Sequence, residues 1–523
     1  MVCAINSIDS NFTGLRICEE LCPNELDTSS GNANQKWLTR EPNSYANFGG
    51  NIKTVAREPI NPSRQNKRGT VVDVEAAAGW NEDFTQDNMT ELLQGFFFND
   101  ATEKYNLLPL NGTANLCADV EASNGIYNIT ATVASLFRAG DLVKTTGFTN
   151  SANNTLALVS AVTTTELDTD NTASVVEASP PATANIRHVG FQFASGDLVA
   201  TIVSGTLVLT SSVKTMTQFG LEVGEWIFIG GSAVSSAYAF ANGTGYARVL
   251  SVSATAIVCD KSTGLITADA GVGKTIRIFF GTYIRNPTIS ETQITRTYAI
   301  ERTLGEDSNG TQAQVAGGSY ANEFAIKIPS GAKLEADLSY ISMDETYYDG
   351  TETIPSEESG VQLFAALGQE GYNTSTDMVR VAMNSIPTVA TLSPTSQFAF
   401  VTELNLNINN GAKLNKAVGV IGGISASFGN FVVGGNVTAY FQTVEAQRAL
   451  RNNDDVTIDA IFAKHNGGMV YDIPVLGLGG GQANVTKDSP VTIPLEQFAA
   501  ENPAGYTFSY TNLHYLPDIA MPA

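Results

Sequence analysis

The sequence predicts a mainly β protein made of several small sandwich or barrel domains. Hydrophobic residues make up 43% of the 523 residues, which is enough to build folded cores, whereas charged residues make up only 15%. Asn, Thr, Ser, Gly and Ala therefore supply most of the turns and surface, and together with Val and Ile they favour strands over helical bundles. Turn residues separate short apolar runs at a spacing of about 8 to 12 residues, which is typical of sandwiches and barrels. The length allows about two to four domains.

Residues 1–39 are interpreted as an N-terminal arm. The start, "MVCAINSIDSNFTG", has neither a basic region nor an apolar stretch, so we expect no signal peptide, and no run approaches the roughly 18 apolar residues of a spanning helix. Cys18 and Cys22 are separated by three residues instead of the two of redox and zinc motifs, and Glu19 and Glu20 between them would raise the thiol pKa values. We therefore expect the five cysteines to be free thiols.

The first β domain is predicted to be split between residues 40–115 and 286–343. Its first part ends in "DFTQDNMTELLQGFFF", where Thr85 or Asp87 can cap a short helix. Four residues at helical spacing would form the buried face of that helix: Leu92, Leu93, Phe96 and Phe97.

A basic cluster, Arg64 to Arg68 in "NPSRQNKRG", lies within this first part. A nucleic-acid patch is one interpretation, but no aromatic residues alternate with the cations as stacking would require. Pairing with an acidic neighbouring subunit is the more economical interpretation in a strongly acidic chain.

Residues 116–285 contain an internal repeat and are predicted to be an inserted pair of small β modules, at about 116–197 and 198–285. The dipeptide Gly140-Asp141 in "FRAGDLVKTTGF" matches Gly224-Glu225 in "LEVGEWIFIGG". Later, "SVVEASPPATANIRHVGF" aligns with "GLITADAGVGKTIRIFFG". Because an insertion is tolerated where both of its ends lie on the protein surface, we expect this pair of modules on the exterior.

The second module includes "ADAGVGKT", which fits a relaxed phosphate-loop pattern ending in Gly273, Lys274 and Thr275. Such a loop needs a buried strand before it and a helix after it. The following "IRIFFGTYIRNPTI" predicts a strand instead, and the aligned turn of the first module, "ASPPATAN", has prolines in place of backbone donors. We therefore predict a hairpin turn that binds no nucleotide.

Residues 344–389 are predicted to be an acidic connector, either a mobile loop or a tie, and residues 390–523 a second β domain. This second domain contains strands followed by one helix in "QTVEAQRALRNND", as the first domain does. The stretches "GGSYAN" (Gly317 to Asn322) and "GGGQAN" (Gly479 to Asn484) occur later in the two domains. We interpret this pattern as a second, fainter duplication.

The residues offer no catalytic or metal site. His188, His465 and His514 fall in different modules, and no His-x-x-x-His or repeated Cys-x-x-Cys spacing is present. Acidic pairs such as Glu357-Glu358 lie in polar stretches and indicate solvated surface. We therefore predict a protein that is not an enzyme and has no cofactor. The net charge of −23 and the pI near 4.5 disfavour a DNA-reading role, although such a surface suits DNA that must slide past.

Six segments occur in a recognisable order: "NIKTVAREPINPSRQNKRG", "DFTQDNMTELLQGFFF", "TRTYAIERTL", "GGSYANEFAIKIPSGAKLEADLSYI", "TELNLNINN" and "YTFSYTNLHYLP". Their order resembles that of the major tail tube proteins of long, non-contractile-tailed bacteriophages, the siphophage tail tube family. The resemblance covers most of residues 40–115 and 286–523, whereas 116–285 looks like an extra insertion.

The resemblance implies tube domains of a β-sandwich with one flanking helix, assembled in the host cytoplasm into rings that stack around a channel for the genome in the virion tail. Members with one such domain form hexameric rings, so two domains per chain would give rings of three chains, with six chains as the alternative. The implied partners are the chain itself, the terminator, tape measure and tail-tip proteins, and phage DNA that passes without sequence-specific binding, but no membrane. A cell-surface or receptor-binding β protein, with the 116–285 pair as the binding module, is the alternative function.

Overall fold

The fold is mainly β, as the sequence predicts, with half of the residues in strands and only two short α-helices. It is given by a computed structural model that describes residues 12–58, 60, 65, 67–104, 117–129, 136–181, 184–232, 236–241, 243–263, 266–306, 310–385, 400–441 and 444–522. A 17-stranded system and a 12-stranded system contain nearly all of the strands. No helix in the described part of the chain is long and apolar enough to span a membrane.

The elements before the predicted insert are β1 (Gly14–Glu19), β2 (Lys36–Arg40), β3 (Pro42–Tyr45), β4 (Gly49–Val55), β5 (Thr70–Asp83) and α1 (Thr90–Phe97). The insert contains β6 (Cys117–Val120), β7 (Ile126–Ile129), β8 (Asp141–Thr146), β9 (Leu156–Val162), β10 (Glu166–Thr169), β11 (Asn185–Gln192), β12 (Val199–Val203), β13 (Thr206–Thr210), β14 (Trp226–Ile229), β15 (Gly245–Val252), β16 (Ala256–Ser262) and β17 (Arg277–Phe279).

The remaining elements are β18 (Thr282–Arg285), β19 (Tyr298–Glu306), β20 (Thr311–Pro329), β21 (Glu335–Asp349), β22 (Gln362–Phe364), β23 (Met378–Ser385), β24 (Val401–Asn409), β25 (Lys413–Asn415), β26 (Ser425–Ser427), β27 (Val432–Tyr440), α2 (Glu445–Asn452), β28 (Val456–Lys464), β29 (Gly467–Gly480), β30 (Thr492–Ala499) and β31 (Ser509–Leu513).

The 12-stranded system is formed by the insert alone. Its order is β12-β13-β16-β15-β14-β17-β11-β8-β9-β10-β7-β6. If each of β6–β11 is replaced by the strand six places later in the chain, and the reverse, the same order results when it is read from the other end. The insert therefore consists of two six-stranded modules with one strand order, each with its own buried core. The modules join where β11 pairs antiparallel with β17, with Phe191 opposite Ile278.

Matching turns precede the third strand of each module, β8 and β14. Gly140 and Gly224 both have left-handed backbone, with φ of 102° and 95°. The carboxylate after each glycine accepts a hydrogen bond from a backbone N–H three residues earlier, at 2.8 Å for Asp141 and 3.1 Å for Glu225. At Gly140 an added Cβ would lie 2.4 Å from the Phe191 ring, so this turn requires glycine.

Helix α1 lies in the centre of the main core. Its four predicted face residues are buried, each at most 1% exposed: Leu92, Leu93, Phe96 and Phe97. The predicted caps are wrong, because Met89 precedes the first turn and no side chain caps it. Asp87 instead contacts Gln369 Nε2 at 2.9 Å and His514 Nδ1 at 3.1 Å, so its carboxylate is used in tertiary contacts.

Residues 14–39 do not form a free arm. β1 pairs antiparallel with β19 along its whole length and with β2 on its other edge. Leu15 and Ile17, on the same side of β1, are at most 1% exposed in the main core. The start of the chain is thus an integral part of the main sheet system from β1 onward.

The predicted end of the insert at residue 285 also needs correction. β18, which the prediction places in the second module, pairs antiparallel with β31 near the C-terminus, with Tyr283 opposite Thr511. It therefore belongs to the main system. The connector at 344–389 contains paired strands, because β22 pairs in parallel with β2 and β23 pairs antiparallel with β28.

Candidate assembly surface and channel face

Eight strands of the main system form one continuous antiparallel sheet, which we call the wall sheet. Its order is β4-β5-β21-β20-β24-β27-β30-β29. β29 takes part through its second half, Leu476–Gly480, and β3 continues the edge of β4 by pairing with the same strand β5.

The wall sheet consists of two halves with the same connectivity. In the first half the hairpin β4–β5 leads to α1, β19, β20 and β21, and in the second the hairpin β24–β27 leads to α2, β28, β29 and β30. α1 and α2 each have eight residues, and each is followed by a residue in left-handed conformation, Phe98 or Asn453. The 12-stranded insert occupies the connection after α1, whereas α2 leads directly into β28.

Matching cross-strand pairs relate the two halves residue by residue. Four pairs of the first half and their counterparts in the second are Tyr298–Ser319 and Val456–Leu476, Ser319–Ser342 and Leu476–Ala499, Phe324–Leu338 and Gly480–Leu495, and Lys327–Glu335 and Asn484–Thr492. Along β20 and β21, each residue is therefore separated from its counterpart in the second half by the same number of residues, to within one.

The two Gly-Gly-x-x-Ala-Asn stretches are not structural counterparts. Aligning them would place Ser319 on Gly481, but the ladders place Ser319 on Leu476. Glycine and asparagine are frequent throughout this chain, so short matches between them arise from composition. The strand connectivity, and not these stretches, is the evidence for two related halves.

The wall sheet has one apolar and one polar face. Along β24, Leu404, Leu406 and Ile408 are at most 3% exposed, while the residues between them are polar and more exposed. The apolar face packs against α1, where Phe96 and Phe324 have ring centroids 5.3 Å apart. We call the opposite surface the open face.

Carboxylates dominate the open face. Among the described strand residues it carries eight acidic side chains: Asp73, Glu75, Asp83, Glu323, Glu335, Asp337, Glu403 and Glu496. Lys53 and Lys327 oppose them on the strands, and Lys333 in the turn between β20 and β21 lies 2.7 Å from Asp83. Asparagine, serine, threonine and glycine fill most of the remaining positions, so the open face is largely polar and net negative.

The two ends of the wall sheet have edges without a strand partner among the described residues. One edge is that of β4, and the other is that of β29 from Gly477 to Gly480. The Gly50 N–H donates to the Glu345 carboxylate, a side chain, and not to a strand. Unpaired edges of this kind are templates for pairing with another chain.

The insert packs against β28, the first half of β29, β31 and the C-terminus. An apolar cluster joins the insert to the second half and the C-terminus: Leu142, Val189, Trp226, Phe228, Tyr246 and Phe279 contact Ile461, Ala463, Val470, Leu513, Leu516 and Ala520. None of these residues lies on the open face. The insert therefore packs away from the open face.

Two buried ion pairs cross the same contact. Arg248 lies 3.0 Å from Asp472, and Lys261 pairs with Asp459, both carboxylates being 0% exposed. Burial raises the pKa of Asp472, and the charges of Arg248 and Lys261 oppose that shift. Because a buried charge without its partner is costly, the insert and the second half depend on each other for stability.

The segment "ADAGVGKT" forms a turn before β17, and no helix follows it. The Gly271 N–H donates to Asp269 Oδ1 at 2.8 Å, and the Gly273 N–H donates to Ser195 Oγ at 2.7 Å. The backbone donors that a phosphate would need are thus already bonded, one of them to a carboxylate that repels anions.

Gly273, Lys274 and Thr275 are also held by the backbone of the turn. The Lys274 N–H donates to the Gly271 carbonyl at 3.2 Å, and the Thr275 N–H to the Ala237 carbonyl at 2.7 Å. We keep the prediction that these three residues bind no nucleotide.

The three histidines do not come together in one site, although His465 and His514 line the same pocket. His188 is buried beside the Phe280 ring, His514 contacts Asp87, and His465 is exposed next to a carboxylate. Within the described residues, no group of three or more His, Cys, Asp or Glu side chains could hold a metal ion. Cys18, Cys22 and Cys259 are free thiols.

The predicted basic cluster lies at the tip of the β4–β5 hairpin. Lys67 and Arg68 are exposed there, as is Arg57, whereas Arg64 falls outside the described residues. These cations extend away from the main core on a hairpin whose outer part is exposed on both faces.

Comparison with known proteins gives one family. No curated protein matches the chain. The family model described as phage tail tube protein matches residues 11–499, which includes the whole wall sheet. The chain therefore belongs to the phage tail tube protein family.

Proposed function

We propose that this protein is the major tail tube subunit of a long, non-contractile-tailed bacteriophage, and that three chains close each ring of the tube. Membership of the family supports a structural role in the virion tail. The observation that carries the proposal is the wall sheet, whose two equivalent halves end in two edges that have no strand partner among the described residues. A sheet of this form closes only by pairing with further copies of itself.

Strand number favours three chains. A barrel of the eight strands of one chain would have an interior filled by its own side chains. Three chains give 24 strands, and at about 4.8 Å per strand the opposite backbones would be about 37 Å apart, or about 50 Å with the usual strand tilt. That leaves room for a DNA duplex inside the side chains. Six chains would give a much wider ring, which is the alternative.

The open face would line the channel. Its carboxylates repel the phosphates of the genome and pair with the lysines of the same face. Its amides and hydroxyls give a hydrated surface. DNA would therefore pass without sequence-specific binding. The insert, which packs away from the open face, would project from the tube exterior.

Assembly would take place in the host cytoplasm, with the terminator, tape measure and tail-tip proteins as further partners. No catalytic step is part of this role. The alternative is a cell-surface or receptor-binding protein that uses the insert as its binding module.

The test is electron microscopy of the purified chain, followed by reconstruction without imposed symmetry. Hollow tubes with three insert densities per ring support the proposal. Six insert densities would show that each ring holds six chains. Dispersed monomers with affinity for carbohydrate would favour the alternative function.

A further inference from the structure

We propose that the β4–β5 hairpin of one chain adds to the free edge of β29 in the next chain, in the register in which β24 adds to β20 within one chain. The inference rests on the proposed function and names the contact that closes the ring.

The contact between the two halves of one chain is the template. β24, the first strand of the second hairpin, pairs with β20 from Glu323–Asn409 to Pro329–Glu403. The counterparts of these strands in the other half are β4 and β29, and neither has a strand on the corresponding side within the described residues. The same contact is thus made once inside the chain and left open once at its two ends.

The matched ladders give the register of the open contact. Phe324 and Gly480 are counterparts. Ile408 and Gly50 are also counterparts, because the residue that pairs with Ile408 on β27 and the residue that pairs with Gly50 on β5 occupy equivalent positions. Since Ile408 lies opposite Phe324, Gly50 would lie opposite Gly480 of the next chain. Asn51 then lies opposite Gly479. Pairing replaces the bond from the Gly50 N–H to a side chain by a bond between strands.

Exposure of apolar side chains supports the same contact. Ile52 and Val55 on β4 are 54% and 58% exposed, and Val71 and Val72 on β5 are about half exposed. In the second hairpin, by contrast, the apolar residues of β24 are covered by the first half of the chain. An apolar hairpin that stands free in one chain requires a partner surface.

Charge complementarity points to the second half of another copy as that surface. Within the chain, Lys416 on the loop of the second hairpin pairs with Asp73 of the first half. The first hairpin carries the exposed cations Arg57, Lys67 and Arg68. The second half exposes Glu501 just beyond the Leu476–Ala499 pair, on the side toward which the hairpin tip would extend, so opposite charges would meet.

The test is a disulfide cross-link between Asn51→Cys and Gly479→Cys in tubes, with Cys3 and Cys22 replaced by Ser. Directly opposite residues of an antiparallel pair have Cα atoms about 4.5–5.5 Å apart, within disulfide range. Mild oxidation should give covalent dimers and trimers on a denaturing gel, and no larger species, because three links close the ring.

The matched control pairs Asn51→Cys with Asn436→Cys. Asn436 lies opposite Glu496, and Glu496 lies opposite Gly479, so the control residue is on the same face two strands farther away. At about 14 Å from residue 51 of the neighbour it cannot form the bond. A Cβ at Gly479 would meet the Phe498 ring at 2.8 Å, so Lys53→Cys with Gly477→Cys, where the nearest atom is 3.9 Å away, is the second pair.

Each outcome decides a separate point. Cross-links in the designed pairs, absent from the control, support the contact, and a ladder extending to six chains would keep the contact but reject the three-chain ring. Tubes without cross-links in either pair, or dimers from Asn51→Cys alone, would overturn the contact while the tube function stands. A wild-type chain that forms no tubes would overturn the proposed function itself.

Discussion

Replacing Arg248 by Met is the sharpest test of how the insert is held. The Arg248 guanidinium donates to both oxygens of Asp472, at 3.0 and 3.2 Å, and Asp472 is 0% exposed. Without the cation, that carboxylate is buried and unpaired, which costs about 3–5 kcal/mol. For an m-value of about 2 kcal/mol/M, the urea midpoint should fall by about 1.5–2.5 M.

The assay is urea unfolding followed by tryptophan fluorescence, since buried Trp226 lies in the same contact. Lys327→Met is the control, because its pair with Asp337 is about half exposed and should contribute less than about 1 kcal/mol. Adding Asp472→Leu to Arg248→Met should recover most of the loss, as apolar replacement of a buried pair is often neutral. The reasoning fails if Arg248→Met is as stable as the control, or if Asp472→Leu recovers nothing.

Three further outcomes are expected. Lys274→Ala should leave ATP binding undetectable, as in the wild type, and a micromolar affinity lost in the variant would contradict the turn described above. Thiol labelling with peptide mapping should modify exposed Cys22 in the folded protein but not Cys18, because burial raises the pKa of the Cys18 thiol to about 12, and early labelling of Cys18 would refute its burial. Glu323→Lys with Glu403→Lys should leave the subunit folded but make assembled tubes retain DNA at low salt, and unchanged retention would argue against an open face that lines the channel.

Features with local causes could be predicted from the sequence. The spacing of Leu92, Leu93, Phe96 and Phe97 is a helical pattern within eight residues, and all four are buried. The turns at Gly140 and Gly224 need a glycine followed by a carboxylate residue. The Gly-Asp and Gly-Glu dipeptides therefore identify the two turns in the sequence.

Features that depend on distant strands could not be predicted. β18 resembles the strands of the insert before it, and only its ladder with β31, more than two hundred residues later, places it in the main system. Asp87 looks like a helix cap in the sequence, but its partners Gln369 and His514 come from far along the chain. Ser319 and Leu476 occupy equivalent positions although their side chains differ in chemistry. Strand pairing depends on the backbone and allows the side chain to change.

The position of the insert would give the proposed tube two different symmetries. In a ring of three chains the inner wall repeats six times, because each half of a chain supplies four similar strands. The exterior repeats only three times, since the connection after α1 carries the insert while its counterpart after α2 is a short exposed link at residues 453–455. The genome would meet a nearly sixfold surface, whereas a protein that binds the inserts would find three sites on each ring.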